Sequence, residues 1–198
     1  SHEKFEIYLL DIKNFKNLYR KEFNYQTETK KIDSNLLSEF LEKNIFRIEK
    51  AAGSFVNNIN VIIENNSNLN LDISVKKKNY SGNITNIFLE NTLSDINDLF
   101  QENYSQYKLI HMLIKKYTID GISYSSLFEK INSDEILLEI KLISISNLII
   151  NEIEKILKRY QIQVNNYFDK AYTKGFLKEE RLDISQTAYK LLNGLNIN

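Results

Sequence analysis

The chain has 198 residues, and its 26 Lys+Arg balance 26 Asp+Glu, so the formal net charge is zero. That balance excludes a general nucleic-acid binder, which needs excess cation to displace counterions from phosphate. Hydrophobic residues at 42% and aromatics at 12% are enough for a packed core and too many for a disordered chain.

Taken in order, Phe5–Ile12 sets Phe5, Ile7 and Leu9 against Glu6, Tyr8 and Leu10, and predicts a central strand. The polar loop Lys13–Asn17 leads into Leu18–Tyr25, where Tyr19, Lys21, Phe23 and Tyr25 share a side, so the pair reads as a β-hairpin. After the polar linker Gln26–Asp33, Leu37, Leu41, Ile45, Ile48 and Ala52 recur at helical spacing. Asp33 or Ser34 is expected to cap that helix and Gly53 to end it. Asn58–Glu64 reads as a buried strand, Asn65–Asn68 as a turn and Leu69–Lys76 as a half-buried strand. Gly82 falls in another turn. Ile84–Leu89 is expected to be a strand, and Thr92-x-x-Asp95 to open a helix that ends near Ser105. Tyr107–Ile145 carries an apolar run, Leu109–Ile114, which continues to a stop at Asp120-Gly121, and a strictly alternating strand, Leu137–Ile145. An amphipathic helix, Asn147–Tyr160, follows. Val164–Phe168 reads as a strand, and Ser185–Asn193 as a helix stopped by Gly194.

Reactive chemistry is sparse. There is no cysteine, which removes disulfides, thiolate metal sites and Cys nucleophiles and fits a reducing compartment. No stretch approaches the roughly 20 apolar residues that span a bilayer. Ser1-His2 reads as a tag remnant, and the end at Asn198, just after a helix, as a trim from a longer chain. His111 stands in an apolar strand with no His or Cys at metal spacing, so it is expected to be structural. Glu152 and Glu154 point to different faces of one helix and cannot act as a pair. Lys76-Lys77-Lys78 reads as a strand-edge guard. Five glycines, at 53, 82, 121, 175 and 194, are too scattered for a glycine-rich phosphate loop. Seven tyrosines (104, 107, 117, 124, 160, 167 and 172) suit either an interface or ordinary packing. From these residues alone an interaction module is favoured over an enzyme, with no catalytic residue, cofactor or metal expected.

Several segments together resemble the FtsA family of bacterial cell-division proteins, which are actin-like. Ile110-His111-Met112-Leu113 through Tyr117-Thr118-Ile119-Asp120-Gly121 resembles a family strand, and Leu137–Ile145 resembles the next. Asn147–Tyr160 with Gln163–Phe168 resembles the following helix and return strand. Phe46–Ala52 with Gly53, then Asn58–Ile63, resembles an earlier helix and strand. The order is collinear from about Phe5 to Gly175. Two departures bear on chemistry. Where the family's first phosphate turn reads Asp-Ile-Gly-Thr, this chain has Asp11-Ile12-Lys13-Asn14, and without glycine the backbone cannot easily approach a phosphate. Where a second glycine-rich loop would follow Gly175, Phe176–Ser185 lacks it.

The resemblance implies an α+β chain. A partial actin-like (ribonuclease H-like) sheet lobe is expected at residues 1–64 and 162–198, and an inserted strand–helix–strand–strand (SHS2-type) module at 65–161. It implies a non-catalytic protein–protein interaction module in cell division or envelope assembly, with a protein partner, no nucleic acid and no transmembrane segment. A homo-oligomer is left open. The location implied is cytoplasmic, with any membrane association arising through a partner. The alternatives are a fragment of a divergent actin-like ATPase and a PilM-type pilus-assembly scaffold. Tyr124 and Phe128, in the loop Ser123–Glu135, are the expected partner contacts.

Overall fold

The computed structural model describes residues 2–26, 32–64, 68–80, 83–125, 131–176 and 182–193. Among these the chain is α+β, with ten strands in several sheets and five helices. It divides into one unit of Ser1–Glu64 with Ile149–Asn198 and a second of Asn65–Leu148.

In the first unit, β1 (His2–Asp11) and β2 (Lys16–Gln26) form an antiparallel hairpin. Its inner face is aromatic. Phe5 meets Tyr25 at 4.8 Å and Phe40 at 6.0 Å, and Phe23 meets Phe40 at 6.1 Å. Phe40 belongs to α1 (Ser34–Ala52), which buries Phe40, Leu41, Asn44 and Ile48. The buried amide of Asn44 is satisfied on both sides: Nδ2 donates to the Phe40 carbonyl at 2.6 Å, and Oδ1 accepts from the Tyr19 hydroxyl at 2.5 Å. Asp33 caps α1, accepting from the N–H groups of Asn35 and Leu36 at 3.0 Å. Gly53 ends it in the left-handed region, φ 71°.

β3 (Asn58–Ile63) pairs in parallel with β10 (Gln163–Asp169). Lys170 binds Glu64 just beyond the paired ends. A parallel pair needs a long crossover. The crossover here contains the whole second unit and α3 (Asn147–Lys158), which buries Ile150, Ile153, Ile156 and Leu157. The division into units falls at Leu148/Ile149, so Ile149–Lys158 of α3 counts with the first unit. The chain closes the unit with α4 (Lys170–Gly175), a short helix the sequence reading missed, and α5 (Ile184–Leu192).

The second unit is built from β4 (Leu69–Lys78), the two-residue β5 (Asn83–Ile84), α2 (Asn86–Asn103), β6 (Tyr107–Ile119), β7 (Ile122–Tyr124), β8 (Ile131–Asn132) and β9 (Glu135–Ser146). Its main sheet is antiparallel, in the order β4-β9-β6-β7. Ile136, Leu138, Ile140 and Leu142 alternate along β9 and form a seam with Ile96 and Phe100 of α2. Leu138 and Ile140 are 0% exposed.

Two expectations fail here. Ile84–Leu89 is not a strand: the strand stops at Ile84, and α2 starts at Asn86. Thr92 does not open the helix. Thr85 is the cap, with extended backbone and its side chain accepting from the Phe88 N–H at 3.3 Å. Thr92 is buried within α2 and returns its hydroxyl to the Phe88 carbonyl at 2.8 Å. The long β6 also explains the unbroken apolar run. Register shifts between Leu109 and His111 and between Ile114 and Lys116 reset the in–out phase.

Candidate interaction surfaces

The expected partner loop begins in a hairpin. Asp120 and Gly121 both have positive φ, 51° and 80°, as a type I′ turn requires. They return β6 into β7, where Tyr124 pairs with Tyr117. Tyr124 is half-buried and packs against the core of the second unit. Phe128 lies outside the described residues. Beyond that segment Ser133 forms a buried polar knot that the sequence did not announce. Its hydroxyl lies 3.0 Å from Asp120 Oδ1 and 2.9 Å from the Glu135 carbonyl, two alternative acceptors for its one proton, and its carbonyl accepts from Asn79 Nδ2 at 3.3 Å. The Asn79 N–H donates to the Asp134 carbonyl at 2.6 Å. The described residues on either side of that segment, Tyr124 and Ser133, are held by strand pairing and by these hydrogen bonds.

On the face of the sheet turned away from α2, charges pair across strands. Lys115 reaches Asp72 at 2.5 Å, Lys116 reaches Glu139 at 3.3 Å and Lys76 reaches Glu135 at 2.8 Å. The hydrogen bond from Lys115 holds the Asp72 carboxyl below its ordinary value. A cavity of about 120 Å³ lies among Asp72, Ser74, Lys115 and Glu139, below the ~300–1,000 Å³ of ordinary ligand sites. Lys77 binds Asp95 of α2. The lysine run thus sits on the edge strand β4, with Lys76 and Lys77 committed to carboxylates, as an edge guard does.

The tip of the β1–β2 hairpin in the first unit is held by hydrogen bonds of its own residues and of α5. The Asp11 carboxylate accepts from Asn14 Nδ2 at 2.6 Å and from the Lys13 N–H at 2.9 Å. These bonds, the Asn14 one foremost, lower its pKa. Phe15 takes the left-handed conformation, φ 55°, and its carbonyl accepts from Gln186 Nε2 at 2.7 Å. Asp183 and Gln186 form a reciprocal capping box at the start of α5. Asn17 donates to Asp183, and Ser185 donates to Asn17 Oδ1 at 3.0 Å. Partial burial raises the Asp183 pKa, but hydrogen bonds from Ser185, Gln186 and Asn17 outweigh it and hold the carboxyl below its ordinary value. The Ser185 and Gln186 N–H groups in the first turn of α5 are bound by the Asp183 carboxylate, and the Thr187 N–H by its carbonyl.

Several other singled-out groups have described packing or hydrogen-bond partners. His111 is half-buried beside the first β6 bulge, opposite Ile143. Glu154 accepts from the buried Tyr167 hydroxyl at 2.9 Å, and burial, then that carboxylate, pushes the tyrosine pKa up. Tyr104, Tyr107 and Tyr117 pack against the core of the second unit. Tyr160 donates to the Ser38 carbonyl at 3.3 Å, and Tyr172 packs edge-on against Phe176 at 5.0 Å. The segment Glu179-Glu180-Arg181 lies outside the described residues. Among the described residues no group of three or more His, Asp or Glu is placed to hold a metal ion, and no helix is long and apolar enough to cross a membrane. The sequence reading missed that the two most exposed phenylalanines among the described residues are Phe46, in the second half of α1, and Phe55, just after it. The signal was there: Phe46 falls off the stripe set by Leu37, Leu41, Ile45 and Ile48. No family model matches the chain, and no curated protein matches it.

Proposed function

We propose that the chain is a non-catalytic, FtsA-like protein–protein interaction module serving cell division or envelope assembly. One observation carries the reading. β4, α2, β6 and β9 follow in strand–helix–strand–strand order, inserted between β3 and its parallel partner β10. This is the order expected of an SHS2-type module set into an actin-like lobe. The non-catalytic half of the reading is supported by the hairpin tip, whose donors Lys13 N–H, Asn14 Nδ2 and Asn17 Nδ2 are given to Asp11 and Asp183, while its Phe15 carbonyl accepts from Gln186.

Isothermal titration with Mg·ATP tests that half, and no heat of binding is expected. Micromolar binding would overturn it and favour the divergent ATPase fragment. Titration with a tubulin-like division protein tests the partner class, with saturable binding expected. Binding to a pilus inner-membrane protein instead would move the chain to a PilM-type scaffold. Phe128→Ala is the cleaner probe of the candidate loop, because Tyr124→Ala also removes core packing. Unchanged partner affinity in both variants would place the contact elsewhere.

A further inference from the structure

The C-terminal end of α1 carries Phe46, 74% exposed, and just beyond it Phe55, 81% exposed. Lys43, Phe46, Arg47 and Lys50 stand at i, i+3, i+4 and i+7, so one exposed stripe combines an aromatic ring with three cations. The Gly53 N–H donates to the Glu49 carbonyl at 2.8 Å, and the Val56 N–H to Glu49 Oε1 at 3.3 Å. These bonds turn the chain back at the helix end and present Phe55 at the end that bears Phe46. Ala51, Ala52, Gly53 and Ser54 between them are all exposed and small. A Cβ built on Gly53 would meet nothing within 4 Å. Small side chains thus lead from the last turn of α1 to Phe55. Acidic neighbours are partly engaged: Glu39 pairs with Lys43 at 3.3 Å, and Glu49 holds the loop, while Glu42 is exposed. Among the described residues Arg47 and Lys50 form no ion pair.

We propose that this end of α1 is a contact site for an anionic membrane surface. Phe46 and Phe55 enter the boundary of the acyl chains, and Arg47 and Lys50 meet anionic headgroups. Exposed aromatics beside unpaired cations are the composition of interfacial membrane contacts. Two highly exposed rings beside cations suit a lipid surface, which offers anionic headgroups above acyl chains and needs no matched recess for each ring. The inference is independent of the function proposed above.

Co-sedimentation with vesicles of equal parts phosphatidylcholine and phosphatidylglycerol tests it, against vesicles of phosphatidylcholine alone. The chain is expected to partition onto the anionic vesicles and to stay in solution with the neutral ones. Phe46→Ser with Phe55→Ser should weaken partitioning by about a hundredfold. Arg47→Glu with Lys50→Glu should weaken it by about tenfold or more. Circular dichroism should match wild type for both, since all four side chains are exposed. Should the double Ser variant lose its helical spectrum, Phe55→Ser alone carries the test, with about tenfold expected. Absence of binding to anionic vesicles, or binding unchanged by the Ser substitutions, would overturn the proposal. So would self-association of the wild-type chain that the Ser substitutions abolish, which would make a second copy the occupant.

Discussion

In the second unit β9 runs between two other strands, with Leu138 and Ile140 wholly out of solvent. In the first unit the β1–β2 hairpin pairs with no third strand among the described residues, and its tip is tied to α5 by Asn17, Asp183, Ser185 and Gln186. One arrangement is an apolar seam, whose strength scales with buried volume and is indifferent to protonation. The other is a polar clasp, whose strength depends on the ionisation of one carboxylate. The same chain thus uses two kinds of stability, and each fails under a different stress.

The comparison breaks most sharply at the seam. Leu138→Ala leaves a cavity in a site that cannot collapse without moving three strands, and should cost about 2–5 kcal/mol. Urea unfolding would measure it, and a loss below about 1 kcal/mol would mean that the seam is loosely packed. At the clasp, Asp183→Ala removes the cap of α5 and the partner of Asn17 together, for about 1–2 kcal/mol. Acid sharpens the contrast. The folded-state pKa of Asp183 is depressed, so its contribution is present above the ordinary aspartate value of 3.8 and is lost as pH falls through that value and below. Asp183→Asn should flatten that part of the acid unfolding profile while leaving the neutral-pH spectrum intact. If the profiles of the wild type and the Asp183→Asn variant coincide, the clasp is not charge-dependent. The smallest effect is expected at α2. Thr85→Ala should cost about 1 kcal/mol as a lost cap, whereas Thr92→Val, which keeps the buried shape, should change stability little. The opposite ranking by thermal unfolding would return the helix start to Thr92.

Regular elements with one dominant cause were legible in the sequence. α1 was readable down to its caps because Asp33, an apolar stripe and Gly53 all point the same way. The alternation of Leu69–Lys76 matches the in–out burial of β4. The start of α2 was not legible, because Ile84, Thr85 and Ile87 carry β-branched side chains and Thr92-x-x-Asp95 imitates a capping box. Packing of Phe88 and Leu89 against the core overrides that local signal. α4 is too short to show a period. The candidate loop was readable as a loop, but the commitment of Tyr124 to the core depends on β7 folding back across the Asp120-Gly121 turn. The clasp at the hairpin tip joins residues that lie far apart in the chain, and no local pattern announces such a pairing.

The parallel pairing of β3 with β10 has a consequence for the order in which the chain folds. Asn58 must wait for Gln163, so during synthesis the first unit stays incomplete while all of Asn65–Leu148 leaves the ribosome. The second unit is contiguous, and its contacts close without the late segment, so it is free to fold first. By shortening the distance between the ends of β3 and β10, its folding would lower the loop-closure cost of that pairing. The inserted unit would then be folded before the unit whose sequence it interrupts can be completed.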